Sequence, residues 1–98
     1  MTSTTNSMNR RVHIVVSGKV QGVFFRSQIK KLAEELRLHG YVKNVDKDKM
    51  EAIFEGEDNA VERVLEFCKD GPEEAEVAAI VIDEEQYLGE FKDFSIVN

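Results

Sequence analysis

The sequence predicts an α+β fold, a two-layer sandwich in which two helices cover one face of a mainly antiparallel sheet. Three observations predict this class: short stretches in which apolar residues alternate, two longer stretches with one apolar stripe at helical spacing, and glycine or turn-forming residues between them. Because neither helix can bury its stripe alone, both are expected to pack on the same face of the sheet.

The first strand and the first helix lie on either side of a glycine-containing loop. Residues 12–17 (VHIVVS) place β-branched residues at alternating positions, which predicts a strand that runs into Gly18. The helix is predicted after the loop and is expected to end near His39 and Gly40. Its apolar stripe consists of Phe25, Ile29, Leu32, Ala33 and Leu36.

Two further strands are predicted at residues 41–44 and 50–55. The five residues between them include Asp46 and Asp48, which suit the connection of a hairpin. Gly56 is expected to end the second of these strands.

The second helix is expected to begin with Asp58 or Asn59 as its cap and to end at Gly71 and Pro72. Residues 77–82 predict a further strand, and residues 94–97 a short terminal one. The order β, α, β, β, α, β is that of the split βαβ, ferredoxin-like arrangement. The apolar stripe of the second helix consists of Val61, Val64, Leu65 and Cys68.

Length, charge and cysteine content limit the classes of function. The 98 residues suffice for one domain with its own core, and we expect a flexible tail at residues 1–10 and a single domain over residues 11–98. A formal charge of −6 disfavours nucleic acid as a partner, and no apolar run is long enough to cross a membrane. Cys68 is the only cysteine, so neither an internal disulfide nor a cysteine-based zinc site is expected. The polar start has no signal-peptide pattern, which predicts a cytoplasmic protein.

Residues 18–26 (GKVQGVFFR) predict an anion-binding loop. A strand that turns through two glycines into a helix directs backbone N–H groups at one concavity, beside the positive end of the helix dipole. Arg26 falls in the first helical turn, where its planar guanidinium can donate two hydrogen bonds to a phosphate-like group. The loop is not a nucleotide P-loop, because Val20 follows Gly18-Lys19 where that motif has Ser or Thr.

These residues also carry a family resemblance. Residues 18–26 resemble the first signature of the acylphosphatase family. Residues 40–44 (GYVKN), followed by Met50-Glu51-Ala52 and Gly56, resemble its second signature. The resemblance extends from about residue 10 to residue 97 and agrees with the element order predicted from periodicity.

The resemblance implies hydrolysis of acyl phosphates to a carboxylate and inorganic phosphate, without a metal or cofactor. It implies that Arg26 binds the phosphate and that Asn44 positions the attacking water. It also implies a small-molecule substrate as the partner, and we expect a monomer. The implied phosphate-binding loop is the backbone of Gly18, Lys19, Val20, Gln21, Gly22 and Val23.

One position departs from the family pattern, and it leaves an alternative open. Asp48 stands where the family usually has a glycine, and aspartate adopts the left-handed region less easily than glycine, so the sequence leaves the shape of this turn open. The alternative is a phosphate-binding or regulatory module of the same fold that has no catalytic activity. An RNA-binding sandwich of the same element order is disfavoured, because residues 50–55 lack the basic, glycine and aromatic pattern that RNA contact requires.

Other reactive or aromatic side chains have simpler interpretations. His13 is expected to lie in a strand, His39 at a helix end, and Cys68 in the core. Of the adjacent phenylalanines, Phe25 is assigned to the core, while Phe24 could contact an acyl group. Three lysines could add positive potential to the site or simply be solvated: Lys19, Lys43 and Lys49.

Overall fold

The structure is a computed structural model that describes residues 8–97. Its elements in chain order are β1 (Asn9–Lys19), α1 (Phe25–Glu35), β2 (His39–Asn44), β3 (Lys49–Glu57), α2 (Asp58–Asp70), β4 (Glu76–Glu85) and β5 (Phe94–Ile96). β1 therefore overlaps the tail expected over residues 1–10, and the first seven residues of that tail lie outside the described part.

The five strands form one sheet in the order β4-β1-β3-β2-β5. Neighbouring strands are antiparallel except β2 and β5, which run parallel and pair Val42 with Ile96. This topology confirms the predicted ferredoxin-like α+β sandwich with a short terminal strand.

Both helices cover the same face of the sheet, as predicted. The predicted stripe of α2 is buried in full, and Phe25, Ile29 and Ala33 of α1 are buried where that helix packs on β2, β5 and α2. Phe25 also meets Phe67 of α2 edge to face, with ring centroids 5.7 Å apart. Neither helix is long and apolar enough to cross a membrane, in the part of the chain that the structure describes.

The C-terminal end of α1 is a Schellman motif built without glycine. The Leu38 amide donates to the carbonyl of Ala33 at 2.8 Å, and the Arg37 amide donates to the carbonyl of Glu34 at 3.1 Å. Arg37 takes the left-handed conformation, with φ 60°, that glycine usually supplies in this motif. Leu38 is buried just beyond the helix, so core packing fixes an end that the sequence does not mark with a glycine.

The predicted helix end at His39 and Gly40 is therefore wrong, because both residues belong to β2. Gly40 is required there by close packing: a Cβ on it would lie 1.9 Å from the carbonyl oxygen of Ile53 on β3. β3 likewise continues through the expected stop at Gly56 to Glu57, since the early start of β1 gives these residues a pairing partner.

The start of α2 also differs from the prediction. Glu57 occupies the cap position with extended backbone, and no side chain caps the helix there. The Asp58 carboxylate instead accepts a hydrogen bond from Arg10 Nη1 at 3.1 Å, a charge-assisted contact that competes with capping. Asn59 lies inside the first turn. The predicted end is confirmed, because Gly71 follows the helix with φ 73°.

On the opposite sheet face, a buried carboxylate anchors the segment between β4 and β5. Glu55 is 2% exposed and accepts hydrogen bonds of 3.1 Å from Arg11 Nη1 and from the backbone amides of Leu88, Gly89 and Glu90. Burial opposes ionisation of Glu55, but these donors outweigh it and keep its pKa below the usual value. The network holds the segment that leads into β5.

Candidate active site

Glycine is required for different structural reasons at the two glycine positions of the loop between β1 and α1. Gly18 lies at a register shift between β1 and β4, where a Cβ would come within 2.2 Å of the Glu76 carbonyl oxygen. Gly22 has φ +73°, and a Cβ on it would meet no atom of residues 8–97 within 4 Å. Close strand packing therefore requires the first glycine, while a left-handed turn beside open space requires the second.

The amides between these glycines are available to a ligand. Within residues 8–97, the backbone N–H groups of residues 20–23 donate no hydrogen bond to any protein acceptor. They directly precede the N-terminus of α1, where the helix dipole is positive. The Gly18 amide differs, because it donates to the carbonyl of Asp48 at 2.9 Å. Of the predicted loop, the segment after Lys19 therefore offers the free donors.

Gln21 clamps this loop to the turn between β2 and β3. Its Nε2 donates to the carbonyl of Asp46 and, at 3.0 Å, to the carbonyl of Lys49. Together with the Gly18–Asp48 hydrogen bond, this contact joins the two segments that carry the predicted signatures. The side chain of Gln21 therefore faces the turn.

The turn itself closes without a glycine. The Val45 amide donates to the carbonyl of Lys49 at 3.1 Å, and the Lys49 amide donates to the carbonyl of Asp46 at 3.4 Å. Among the described non-glycine residues only Phe24 and Arg37 have positive φ, so Asp48 does not occupy the left-handed region. The departure from the family pattern at Asp48 leaves the turn closed and bound to the loop.

Asn44 is the last residue of β2 and leads directly into this turn. Its Oδ1 atom is buried and accepts no hydrogen bond from the residues that the structure describes. A buried carbonyl oxygen without a donor is costly, so this atom is suited to accept a hydrogen bond from a bound molecule.

Arg26 lies on the wall of a cavity of about 440 Å³ at the start of α1. No carboxylate of residues 8–97 forms an ion pair with it. Of the predicted site residues, this wall also includes Val20, Gln21 and Gly22. It is completed by Phe24, Phe25, Ser27 and Ile96.

The other predicted site residues lie off the cavity wall. Val23 is buried in the core, and Lys19 is exposed at the end of β1 opposite Glu76. Gly18 shapes the pairing of β1 with β4 inside the sheet. Asn44 does not line the cavity, but the turn that follows it is hydrogen-bonded to the loop. The structure therefore brings Arg26 and residues 20–22 together directly, with Asn44 held nearby by the turn.

The remaining candidate residues are occupied elsewhere. His13 Nε2 lies 2.7 Å from the Glu51 carboxylate, and this hydrogen bond is the largest cause of the lowered pKa of Glu51. Lys43 also pairs with Glu51, at 3.5 Å. Lys49 pairs with Asp46 at 3.7 Å. Cys68 is buried on α2, as predicted, and burial raises its pKa to about 12.

Two residues of the cavity wall are difficult or impossible to assign to the site from the sequence. The sequence suggests Phe24 only as a contact for an acyl group, and the structure leaves its side chain exposed on the wall. The sequence predicts Ile96 only as part of a terminal strand. Its place at the cavity follows from the parallel pairing of β5 with β2, which local periodicity does not encode.

The fold and this cavity define a small α+β sandwich with a loop of free backbone amides beside an arginine, and comparison with known proteins identifies the family. The acylphosphatase family profile matches residues 12–96. An acylphosphatase of Syntrophus aciditrophicus (strain SB) is 43% identical over 90 residues, which cover 92% of this chain and 94% of the relative. The chain belongs to the acylphosphatase family, which confirms the predicted family and its assignment as a hydrolase.

Two solved structures agree with this assignment. The acylphosphatase from Coxiella burnetii superposes with a TM-score of 0.86 at 35% identity, covering 96% of this chain and 100% of that one. The acylphosphatase from Bacillus subtilis superposes with a TM-score of 0.85 at 36% identity, covering 93% and 100% respectively. The similarity therefore spans the whole sandwich.

Proposed function

We propose that the chain hydrolyses acyl phosphates, with the loop amides of residues 20–23 and Arg26 holding the phosphoryl group and Asn44 positioning the attacking water. One observation carries the proposal: the hydrogen bonds of Gln21 and Gly18 bring a loop with free amides to the turn that follows Asn44, whose buried Oδ1 accepts no hydrogen bond from the described residues.

The loop and Arg26 suit the charge of the substrate. The phosphoryl group of an acyl phosphate carries up to two negative charges on its non-bridging oxygens. The backbone amides can take one oxygen, and the guanidinium of Arg26 can donate to two others, since none of the described carboxylates occupies it. Donors fixed by the loop need little reorganisation as charge shifts during the reaction.

Asn44 can orient a water molecule without acting as a base. Its Oδ1 accepts a hydrogen bond from the water, but an amide does not remove a proton before attack. We propose that the water oxygen bonds to phosphorus as the phosphorus–oxygen bond to the acyl group breaks. The carboxylate leaves with the bonding electron pair, and the proton of the water passes to a phosphoryl oxygen. A carboxylate is a good leaving group, so placement and charge stabilisation suffice.

The test measures hydrolysis of acetyl phosphate and benzoyl phosphate by the purified chain without added metal. Arg26→Lys should reduce kcat/KM by about 100-fold or more, because an ammonium cannot supply the planar fork. Arg63→Lys, at an exposed position of α2, is the matched control and should leave kcat/KM unchanged. Asn44→Ala should lower kcat while inhibition by inorganic phosphate stays the same.

Three results would contradict the proposal. A wild-type chain that hydrolyses neither compound would remove the activity. Full activity of Arg26→Lys would remove the bidentate contact with phosphate. Full activity of Asn44→Ala would remove the role in positioning water.

The non-catalytic alternative loses its main support. It depended on Asp48 changing the turn, and that turn closes without a left-handed residue. Phosphate binding measured by calorimetry, together with zero turnover, would restore it.

We also propose a cytoplasmic location, supported by the free thiol of Cys68, and a monomer with no nucleic acid or membrane partner. Light scattering on the purified chain would test the monomer.

A further inference from the structure

Phe24 is an exposed aromatic residue in an unfavourable backbone conformation. Its φ of 60° and ψ of 20° place it in the left-handed region, and 78% of it is exposed to solvent. Asn, Asp or Gly adopt this conformation more readily than an aromatic residue. The neighbouring Phe25 supplies the core contact, so neither the turn nor the core explains an aromatic ring at position 24.

The ring lies on the cavity wall next to the proposed phosphoryl site. Phe24 and Ile96 share this wall with Gly22 and Arg26. The cavity therefore has a polar part, formed by the loop and the guanidinium, and an apolar part that includes Phe24 and Ile96, which are far apart in the sequence. Its volume of about 440 Å³ falls in the range of small-molecule sites, about 300 to 1,000 Å³.

The backbone that carries both apolar side chains is fixed by hydrogen bonds. The carbonyl of Phe24 accepts hydrogen bonds from the Gln28 amide at 3.1 Å and from Ser27 Oγ at 3.0 Å. Ile96 pairs with Val42 of β2, and the amide of Val97, just after β5, donates to the Val42 carbonyl at 2.9 Å. Because this backbone is fixed before binding, a ligand that packs on the surface orders only the two side chains.

We propose that Phe24 and Ile96 form the acyl-binding surface of the site and give it a preference for acyl phosphates with an aromatic or large apolar acyl group. This inference rests on the proposed function, because it takes the loop and Arg26 as the phosphoryl site. Only one oxygen separates the acyl carbon from phosphorus, so a phosphoryl group at the loop places the acyl group within reach of the adjoining wall. An apolar acyl group gains free energy by covering this exposed surface, whereas a methyl group covers little of it.

The experiment compares kcat/KM for benzoyl phosphate and acetyl phosphate. Phe24→Ala should reduce kcat/KM for benzoyl phosphate about tenfold, mainly through KM, and should reduce the value for acetyl phosphate much less. Phe24→Leu should recover most of the loss, because it restores apolar area. Leu88→Ala removes an apolar side chain of 59% exposure away from the cavity, and it should leave the ratio of the two values unchanged.

A second measurement and a second variant separate the possible failures. Inhibition by inorganic phosphate, which reaches only the polar part, should be the same in Phe24→Ala and the wild type. If Phe24→Ala does not fold, Phe24→Gly removes the ring while favouring the observed φ, and the same loss of preference is expected.

Equal reductions for both substrates, or none, would overturn the inference while leaving the proposed function intact. A wild-type chain inactive on both substrates would overturn the proposed function itself, and the inference with it.

Discussion

The side chain of Gln21 offers the sharpest test of how the two signature segments are held together. Gln21→Ala removes the donor to the Asp46 and Lys49 carbonyls. A net hydrogen bond contributes about 0.5–1.5 kcal/mol, and these are partly exposed, so the expected loss is about 1–2 kcal/mol of unfolding free energy. For a domain of this size that corresponds to a fall in Tm of about 5–15 °C. Activity should fall further than stability explains, because the turn that carries Asn44 is released.

Gln21→Glu gives a stronger test with the same side-chain shape. A carboxylate accepts hydrogen bonds but donates none, so it would face two carbonyl oxygens that also only accept. At pH 7 this variant should be less stable than Gln21→Ala. Near pH 4 the carboxyl group gains a proton and can donate again, so the gap between the two variants should shrink.

Urea unfolding of both variants across pH 4 to 8 measures these differences, and hydrolysis of acetyl phosphate at pH 7 measures the effect on the site. Comparing the variants with each other removes the acid sensitivity that they share with the wild type. If Gln21→Glu is as stable as Gln21→Ala at pH 7, or if both retain full kcat, the clamp does not position the turn.

Three further predictions concern other parts of the structure. Gly18→Ala should fail to fold, because its Cβ would lie 2.2 Å from a backbone oxygen. Gly22→Ala should fold and lose only about 1–2 kcal/mol of unfolding free energy to backbone strain. Circular dichroism and urea unfolding distinguish the two variants, and equal stability would contradict the different reasons assigned to the two glycines. Glu55→Gln should cost about 3 kcal/mol at pH 7, because it leaves Arg11 partly unpaired. Since the pKa of Glu55 is lowered in the folded state, its contribution is present above the unfolded pKa and is lost as pH falls through the folded value, so the difference from wild type should shrink below about pH 4. Cys68 should react with a thiol reagent at pH 8 only after denaturation, because burial raises its pKa to about 12; rapid labelling of the folded chain would contradict this.

Local periodicity was sufficient for most of the fold. The alternation in residues 12–17 and the stripes of the two helices identified which side chains are buried, because each pattern depends only on neighbours a few residues away. Element ends were less predictable. α1 ends at Glu35, and Arg37 takes the left-handed position beyond it that glycine usually occupies, because burial of Leu38 stabilises this ending. Asp58 pairs with Arg10 instead of capping α2.

The sequence by itself determined the order of elements, the core faces of both helices, and the segments that carry the loop, Arg26 and Asn44. Only the tertiary structure decided that Gln21 holds the turn, that the turn closes at Asp48 without glycine, and that Ile96 reaches the cavity. The physical reason is how far apart in the sequence the contacting residues lie. Burial patterns repeat every two to four residues and are written locally, whereas these contacts join residues far apart in the chain and exist only once the strand order of the sheet is set.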